Sequence, residues 1–420
     1  MPVRKAYRFK LRCTPAQERA LRRASGCLRW VWNQALAEQS ARHERGEPYA
    51  NYVAMAKWLT AWRNAPATAW LAEGPIHPQQ QVLRRLDETY RRLFKKTGGT
   101  PRFCARGQEP GIRFPDPKQF EMDQVNGRIK VPKLGWLRLR QSQPVVGLLK
   151  NVSIRREGPS WYASIQVEVA EVAPALNISP SIGIDMGVAN FLATSAGALQ
   201  APLAALAAQQ RRLRRYHKSV SRKIRGSCNR RKAIERLGRL HRRIARQRSD
   251  WLHKLSTSLA SQHPVIAIED LKIKNMIASG RGSAAAPGKN VRAKAGLNRS
   301  ILDASWGEFA RQLDYKLAWA GGELIRVNPA YTSQRCSCCG QVDARSRKSQ
   351  AQYECVACGH AENADVNAAK NILAAGHAVW SLREIERTKA CGEDVRRAEV
   401  ARPEHAASAK QEPTEEGAFA

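Results

Sequence analysis

The chain has 420 residues, 43% of them hydrophobic, and carries 71 Lys and Arg against 36 Asp and Glu, a formal net charge of +35. Solubility needs a surplus of roughly 2–8 on a small domain, so this charge points to a polyanionic partner, nucleic acid by default. No apolar run reaches the length of about 18 residues that a membrane span needs, and the opening MPVRKAYRFK lacks the apolar stretch of a signal peptide; a cytoplasmic protein without a membrane partner is expected.

The spacing predicts a strand over 3–11, with Tyr7, Phe9 and Leu11 on one face. Thr14-Pro15-Ala16-Gln17 then reads as an N-cap, a proline at the first helical position and a capping-box glutamine. Leu21, Ala24, Leu28, Val31, Trp32 and Ala35 follow at helical spacing. Arg19, Arg22, Arg23 and Arg29 lie beside that stripe, as a solvated face or a phosphate-binding one, and their density favours phosphate. More helix is expected over 52–63 and 79–94. After the break at Gly98-Gly99-Thr100-Pro101, strands are expected over 128–131, 136–140, 152–156 and 161–169, with Gly127, Gly135 and Gly158 at the turns. Such strands suit a small barrel or a strongly bent sheet. Arg102, Arg106 and Arg113 alternate with Phe103 and Phe114. That mixture suits single-stranded or structured nucleic acid, although a plain irregular loop reads nearly as well.

The stretch SIGIDMGVANFLATS over 181–195 reads as a strand, a tight turn and a returning antiparallel strand. Asp185 at its edge has two readings, a turn residue or a ligand for a hard cation. Residues 209–248 form an arginine-dense helical pair around Gly226, with Glu235 as an isolated acid in the second helix. A solvated face would mix both signs; Arg211, Arg212, Arg214, Arg215, Arg222, Lys223, Arg230 and Arg231 therefore read as a groove wall for phosphates. Helix over 251–262 leads to a buried strand, Val265 to Ile268, with Glu269 next. A mobile loop is expected over 279–290, a helix over 303–320 with Ser305 and Trp306 in its first turn, a strand over 323–327, and disorder from about Thr388.

Asp365 stands in Asn363-Ala364-Asp365-Val366-Asn367, at the start of a helix. Three acids thus fall at the ends or starts of core elements. If adjacent strands of a mixed sheet carry Asp185 and Glu269, and the helix start brings Asp365, the set suits Mg²⁺. Two such ions, roughly 4 Å apart, activate water and stabilise the leaving oxygen of a phosphodiester. Asp270 ranks second to Glu269, because strand alternation turns it to the other face; Asn367 is either a helper near Asp365 or an ordinary helix-start residue. Cys336-x-x-Cys339 and Cys355-x-x-Cys358, each followed by glycine and separated by fifteen residues, have the spacing of a four-thiolate ribbon for one structural Zn²⁺. Cys338 reads as a bystander, and His360 is set aside as a ligand.

Gly183 to Gly187 (GIDMG), Ile268 to Leu271 (IEDL), the knuckles TSQRCSCCG and CVACGH, and ADVNAAKNIL from Ala364 resemble the TnpB (OrfB) family of transposon-encoded, RNA-guided nucleases related to type V CRISPR effectors. KAYRFKLRCTPAQERAL resembles the family's opening strand and helix. The resemblance implies an α/β RNase H-like (RuvC) nuclease domain with an inserted zinc ribbon, an N-terminal helical recognition lobe and a wedge-type β-barrel. It implies residues 1–12 as the first barrel strand, 13–95 as the recognition lobe and 96–175 as the rest of the barrel. The nuclease domain would occupy 176–331 and 361–387, around a ribbon at 332–360 and before a disordered tail at 388–420. Asp185, Glu269 and Asp365 would then be the catalytic acids on two Mg²⁺ ions, and the four cysteines would hold zinc. The partners would be a guide RNA derived from the transposon and target double-stranded DNA with a short flanking motif, the protein acting as a monomer with one RNA. Asn363-Ala364 departs from the Asp-Arg that many members carry before the last acid. Two other functions fit the same residues: a guided binder that represses without cutting, and an unguided nuclease such as a junction resolvase.

Overall fold

The computed structural model describes residues 3–170, 181–282 and 287–400. The chain divides into two units, Met1–Ala173 with Val220–His241, and Pro174–Ser219 with Arg242–Ala420.

In the first unit, β1 (Val3–Arg12) leads into α1 (Pro15–Glu44), α2 (Tyr52–Asn64) and α3 (Ile76–Phe94). Thr14 caps α1 as a full capping box: its hydroxyl accepts from the Gln17 N–H at 3.2 Å, and the Gln17 side chain accepts from the Thr14 N–H at 3.0 Å. The short strands β2 (Ile112–Phe114), β3 (Glu121–Asp123) and β4 (Arg128–Val131) precede β5 (Gly135–Arg140), β6 (Leu148–Glu157) and β7 (Ser160–Val169). All seven form one antiparallel sheet in the order β2-β6-β7-β1-β5-β4-β3, with β2 and β3 at its ends. Period-2 alternation assigns its faces. Phe9, Leu11, Leu137, Leu139, Val152, Ile154, Ile165 and Val167 are buried in one core with Leu21, Leu28, Val31 and Leu83 of the helices. Lys10, Arg12, Arg138 and Arg140 are exposed.

The second unit is built on β8 (Ile182–Asp185), β9 (Leu192–Thr194) and β10 (Leu199–Gln200). The helices α4 (Ala205–Ser221) and α5 (Cys228–Gln262) follow, with Gly226 between them at φ +85°; their residues Val220–His241 belong to the first unit. Then come β11 (Val265–Glu269), α6 (Ile273–Met276), α7 (Val291–Ala304), α8 (Trp306–Ala320), β12 (Glu323–Val327), the hairpin β13 (Gln352–Glu354) and β14 (Ala361–Asn363), and α9 (Ala364–Val400). The five-stranded sheet has the order β10-β9-β8-β11-β12; β8 and β12 flank β11 in parallel, and β9 returns antiparallel to β8. On one face Ile182, Ile184, Ile266 and Ile268 cluster with Leu252 and Leu259 of α5, Ile301 of α7, and Phe309 and Leu313 of α8. The other face takes α9, where Ile372 clusters with Ala267, Ile325 and Val327. Two glycines permit that approach. A Cβ on Gly183 would lie 2.2 Å from the Ala369 carbonyl oxygen, and one on Gly376 would lie 2.6 Å from the Ala267 Cβ.

Three expectations need correction. The helix expected over 303–320 is two helices, broken at Ser305, whose φ of +58° no continuous α-helix accommodates. Asp303, in the last turn of the earlier helix, accepts the Leu206 N–H at 3.0 Å. The ribbon hairpin extends to Asn363, because β14 pairs with β13 up to Gln352↔Asn363. Residues 388–400 are helical, a continuation of α9. Residues 401–420, and 283–286 of the loop expected at 279–290, lie outside the described residues.

Candidate active site

Parallel pairing of β8 with β11 sets Ile184 opposite Ile268, so Asp185 and Glu269 end neighbouring strands at the same edge. Alternation puts Asp185 on the face of Gly183 and Glu269 on the face of Ala267, which is the face that α9 covers. The third acid arrives from above. The Asn363 Oδ1 accepts from the N–H groups of Asp365 (3.0 Å) and Val366 (3.3 Å), starting α9 with Asp365 in its first turn. Asp185, Glu269 and Asp365 line one cavity of about 310 Å³, together with Gly187, Thr332, Arg347 and Gln350.

Each carboxylate is held. Thr332 Oγ1 donates to Glu269 Oε1 at 2.6 Å, and the Thr332 carbonyl accepts from Asn371 Nδ2 at 2.9 Å. Asn190 Nδ2 donates to Asp365 Oδ2 at 3.1 Å, while Arg347 Nη2 stands 3.6 Å from Asp365 Oδ1. Burial, then the charges of Glu269 and Asp365, push Asp185 up to about 7 against the opposing pull of Arg347. Burial also raises Glu269, and the Thr332 hydroxyl opposes it. A half-buried set of carboxylate oxygens in mutual repulsion is a donor set for a hard divalent cation. Asp270 is apart from it, paired with Lys272 on the other side of the strand.

The four cysteines converge as a second group. Their sulfurs lie within 4.8 Å of one another, with Cys336 to Cys358 at 3.7 Å and Cys339 to Cys355 at 3.6 Å. A tetrahedral zinc with Zn–S of about 2.3 Å demands S···S of about 3.8 Å. The two knuckles have the same backbone: Gly340 and Gly359 sit at φ +76° and +70°, and each donates its N–H to the carbonyl of the first cysteine at 3.0 Å. The N–H groups of Cys358 and Ala357 hold the Cys355 thiol down to about 6. Cys338 is exposed and outside the cluster, and His360 bonds Glu362 at 2.9 Å. Asn367 faces neither metal group as a donor set. Buried, it accepts from the Ser337 N–H (2.9 Å) and donates to the Arg335 carbonyl (2.8 Å), fastening α9 to the first knuckle.

Of the basic residues singled out from sequence, Arg19, Arg22, Arg23, Arg102, Arg106, Arg211, Arg212, Arg214, Arg215, Arg222 and Arg231 are exposed; Lys223 and Arg230 are half-buried. Among the described residues only Arg22, with Glu18, and Arg23, with Glu73, are in ion pairs. The rest keep their charge available to a ligand.

The protein called "Putative RNA-guided DNA endonuclease InsQ" in Escherichia coli (strain K12) is 44% identical over 98% of this chain and 97% of its own length. This chain belongs to the TnpB (OrfB) family. A second relative, "Putative RNA-guided DNA endonuclease" of Streptomyces pristinaespiralis, is 30% identical over 98% of this TnpB chain and 96% of its own. The family described as "Probable transposase" matches residues 164–279, and "Cas12f1-like, TNB domain" matches 306–372, which spans the ribbon. "Helix-turn-helix domain" matches 1–48, where this TnpB has a strand and one unbroken helix. Among solved structures, a Cas12f1-sgRNA-target DNA complex covers 88% of this chain and 98% of its own at a TM-score of 0.53 and 12% identity, a likeness of fold.

Thr332, Asn190 and Arg347 were not singled out in the sequence. Thr332 opens the stretch TSQRCSCCG that carries the resemblance, and Asn190 lies three residues beyond GIDMG, so proximity to those motifs is the available signal. Arg347 sits in the segment between the knuckles, before β13, where no local pattern marks it.

Proposed function

We propose that this TnpB protein is an RNA-guided DNA endonuclease of a transposable element, and that Asp185, Glu269 and Asp365 hold two Mg²⁺ ions for phosphodiester hydrolysis. The observation that carries the reading is one cavity lined by three carboxylates from segments far apart in sequence, with a guanidinium among them. The names of the two full-length relatives favour the same activity. The second unit would be the RuvC-like domain, its zinc ribbon structural, and the sheet and helices of the first a wedge and a recognition lobe. A transposon-derived guide RNA and target DNA with a short flanking motif would be the partners, with one RNA per monomer.

When bound, magnesium activates the attacking water and neutralises the leaving oxygen. The protein's own groups have separate tasks. Thr332 fixes one oxygen of Glu269, and Asn190 one oxygen of Asp365, so that each presents the other. Arg347 offers its guanidinium to the non-bridging oxygens of the phosphate. Burial and the two neighbouring acids hold the metal-free Asp185 carboxyl up to about 7, so below that pH a cation has to displace a proton.

Asp185→Ala should lower cleavage by several kcal/mol of transition-state stabilisation, on the order of a thousandfold. Retained RNA and target binding should be unchanged. Cleavage at the wild-type rate would overturn the assignment.

A further inference from the structure

A second cavity, of about 370 Å³, opens in the first unit between α1, the short 3-10 turn Pro66–Glu73 and the turn that joins β4 to β5. It is within the range of about 300–1,000 Å³ typical of small-ligand clefts. Three features of its lining bear on what it could hold. Gly26 lies in the middle of α1 with an ordinary helical backbone, where glycine costs about 1 kcal/mol against alanine, yet a Cβ there would meet nothing within 4 Å. Neither backbone conformation nor packing in this chain calls for glycine at that point. The indole of Trp70, stacked edge-on against Trp30 at 5.6 Å, remains 39% exposed at the cavity. Arg23, Arg29 and Lys133 line the cavity against a single carboxylate, Glu73, and Lys133 is held there at φ +64°.

We propose that this cavity captures one unstacked nucleotide of the bound RNA, its base against Trp70 and its phosphate among Arg23, Arg29 and Lys133, with Gly26 leaving room for the ring. Aromatic faces beside guanidinium and ammonium groups are what an unpaired nucleotide requires. A hollow of this size with an excess of cations does not suit a peptide helix. The inference rests on the guided-nuclease reading and adds to it a site in the first unit, whereas the three acids belong to the second.

The test uses the full chain and the RNA that co-purifies with it, re-transcribed with 4-thiouridine for photocrosslinking. Gly26→Leu fills the cavity with a better helix former, so the protein should fold at least as well. Its RNA affinity should fall about tenfold, as should that of Trp70→Ala. The crosslink to the Pro66–Glu73 segment should vanish in Gly26→Leu. Wild-type affinity and crosslinking in Gly26→Leu, with Asp185→Ala still abolishing cleavage, would overturn the nucleotide site and leave the nuclease reading intact. A crosslink at this segment from thiolated target DNA and none from RNA would also overturn it. Absence of any RNA from the wild-type preparation would defeat the guided reading and this site together.

Discussion

Asp185 has a carboxyl that ionises reluctantly, since both burial and its two acidic neighbours oppose its charge. The sign of the pH effect follows. With a folded value of about 7 and an unfolded one near 3.9, the metal-free protein binds the extra proton. Its stability from this group is fully present below about pH 4 and is lost as pH rises through 7. In chelator, the melting temperature of the wild type should therefore fall between pH 5 and pH 8 relative to Asp185→Asn, and added Mg²⁺ should remove the difference. Parallel pH curves for the two proteins in chelator would contradict the crowding of charge. Asn363 adds a lesson at the same scale. The residue that departs from the family's usual acid does an acid's work as a helix cap, through the two N–H groups its side chain accepts.

At the scale of elements, the site depends on how close α9 comes to the sheet. Gly183→Ala would drive a methyl group into the Ala369 carbonyl. The expected cost is about 1–3 kcal/mol, read as a lower melting temperature and accompanied by loss of cleavage as Asp365 moves away. The ribbon is the second such element. Cys355→Ser should release zinc, measurable by metal analysis, and loosen the hairpin whose Tyr353 bridges to Arg347; unchanged zinc content would refute the four-thiolate reading. These elements differ in how legible they were. The strands ending in Asp185 and Glu269 announce themselves as short apolar runs closed by an acid, and the Thr14 to Gln17 box marks the start of α1. The break at Ser305 was hidden, because nothing in Asp303-Ala304-Ser305-Trp306 signals a left-handed residue. Helix α7 was missed because Gly296 and scattered charges thin its apolar stripe to Leu297, Ile301 and Leu302. Arg347 reaches the acids through tertiary structure alone, which no spacing rule encodes.

For the molecule as a whole, the charge of +35 comes from 71 Lys and Arg against 36 Asp and Glu, an excess that internal ion pairs cannot absorb. Each phosphate that such a group neutralises on duplex DNA contributes about −0.9 to the slope of log affinity against log salt. Replacing Arg211, Arg212, Arg214 and Arg215 together with alanine should make that slope shallower by about 3–4, with melting temperature little changed. An unaltered slope would show that α4 is not where the polyanion rests.

The last strand of the ribbon hairpin ends at Asn363 and the helix begins at Ala364, with no residue between them. Such a joint has no slack. One amino acid inserted there would turn everything after it by about 100° around the helix axis, swinging Asp365 out of the company of Asp185 and Glu269 while leaving both neighbouring elements whole. An insertion at that seam would therefore part Asp365 from the other two acids and cost cleavage.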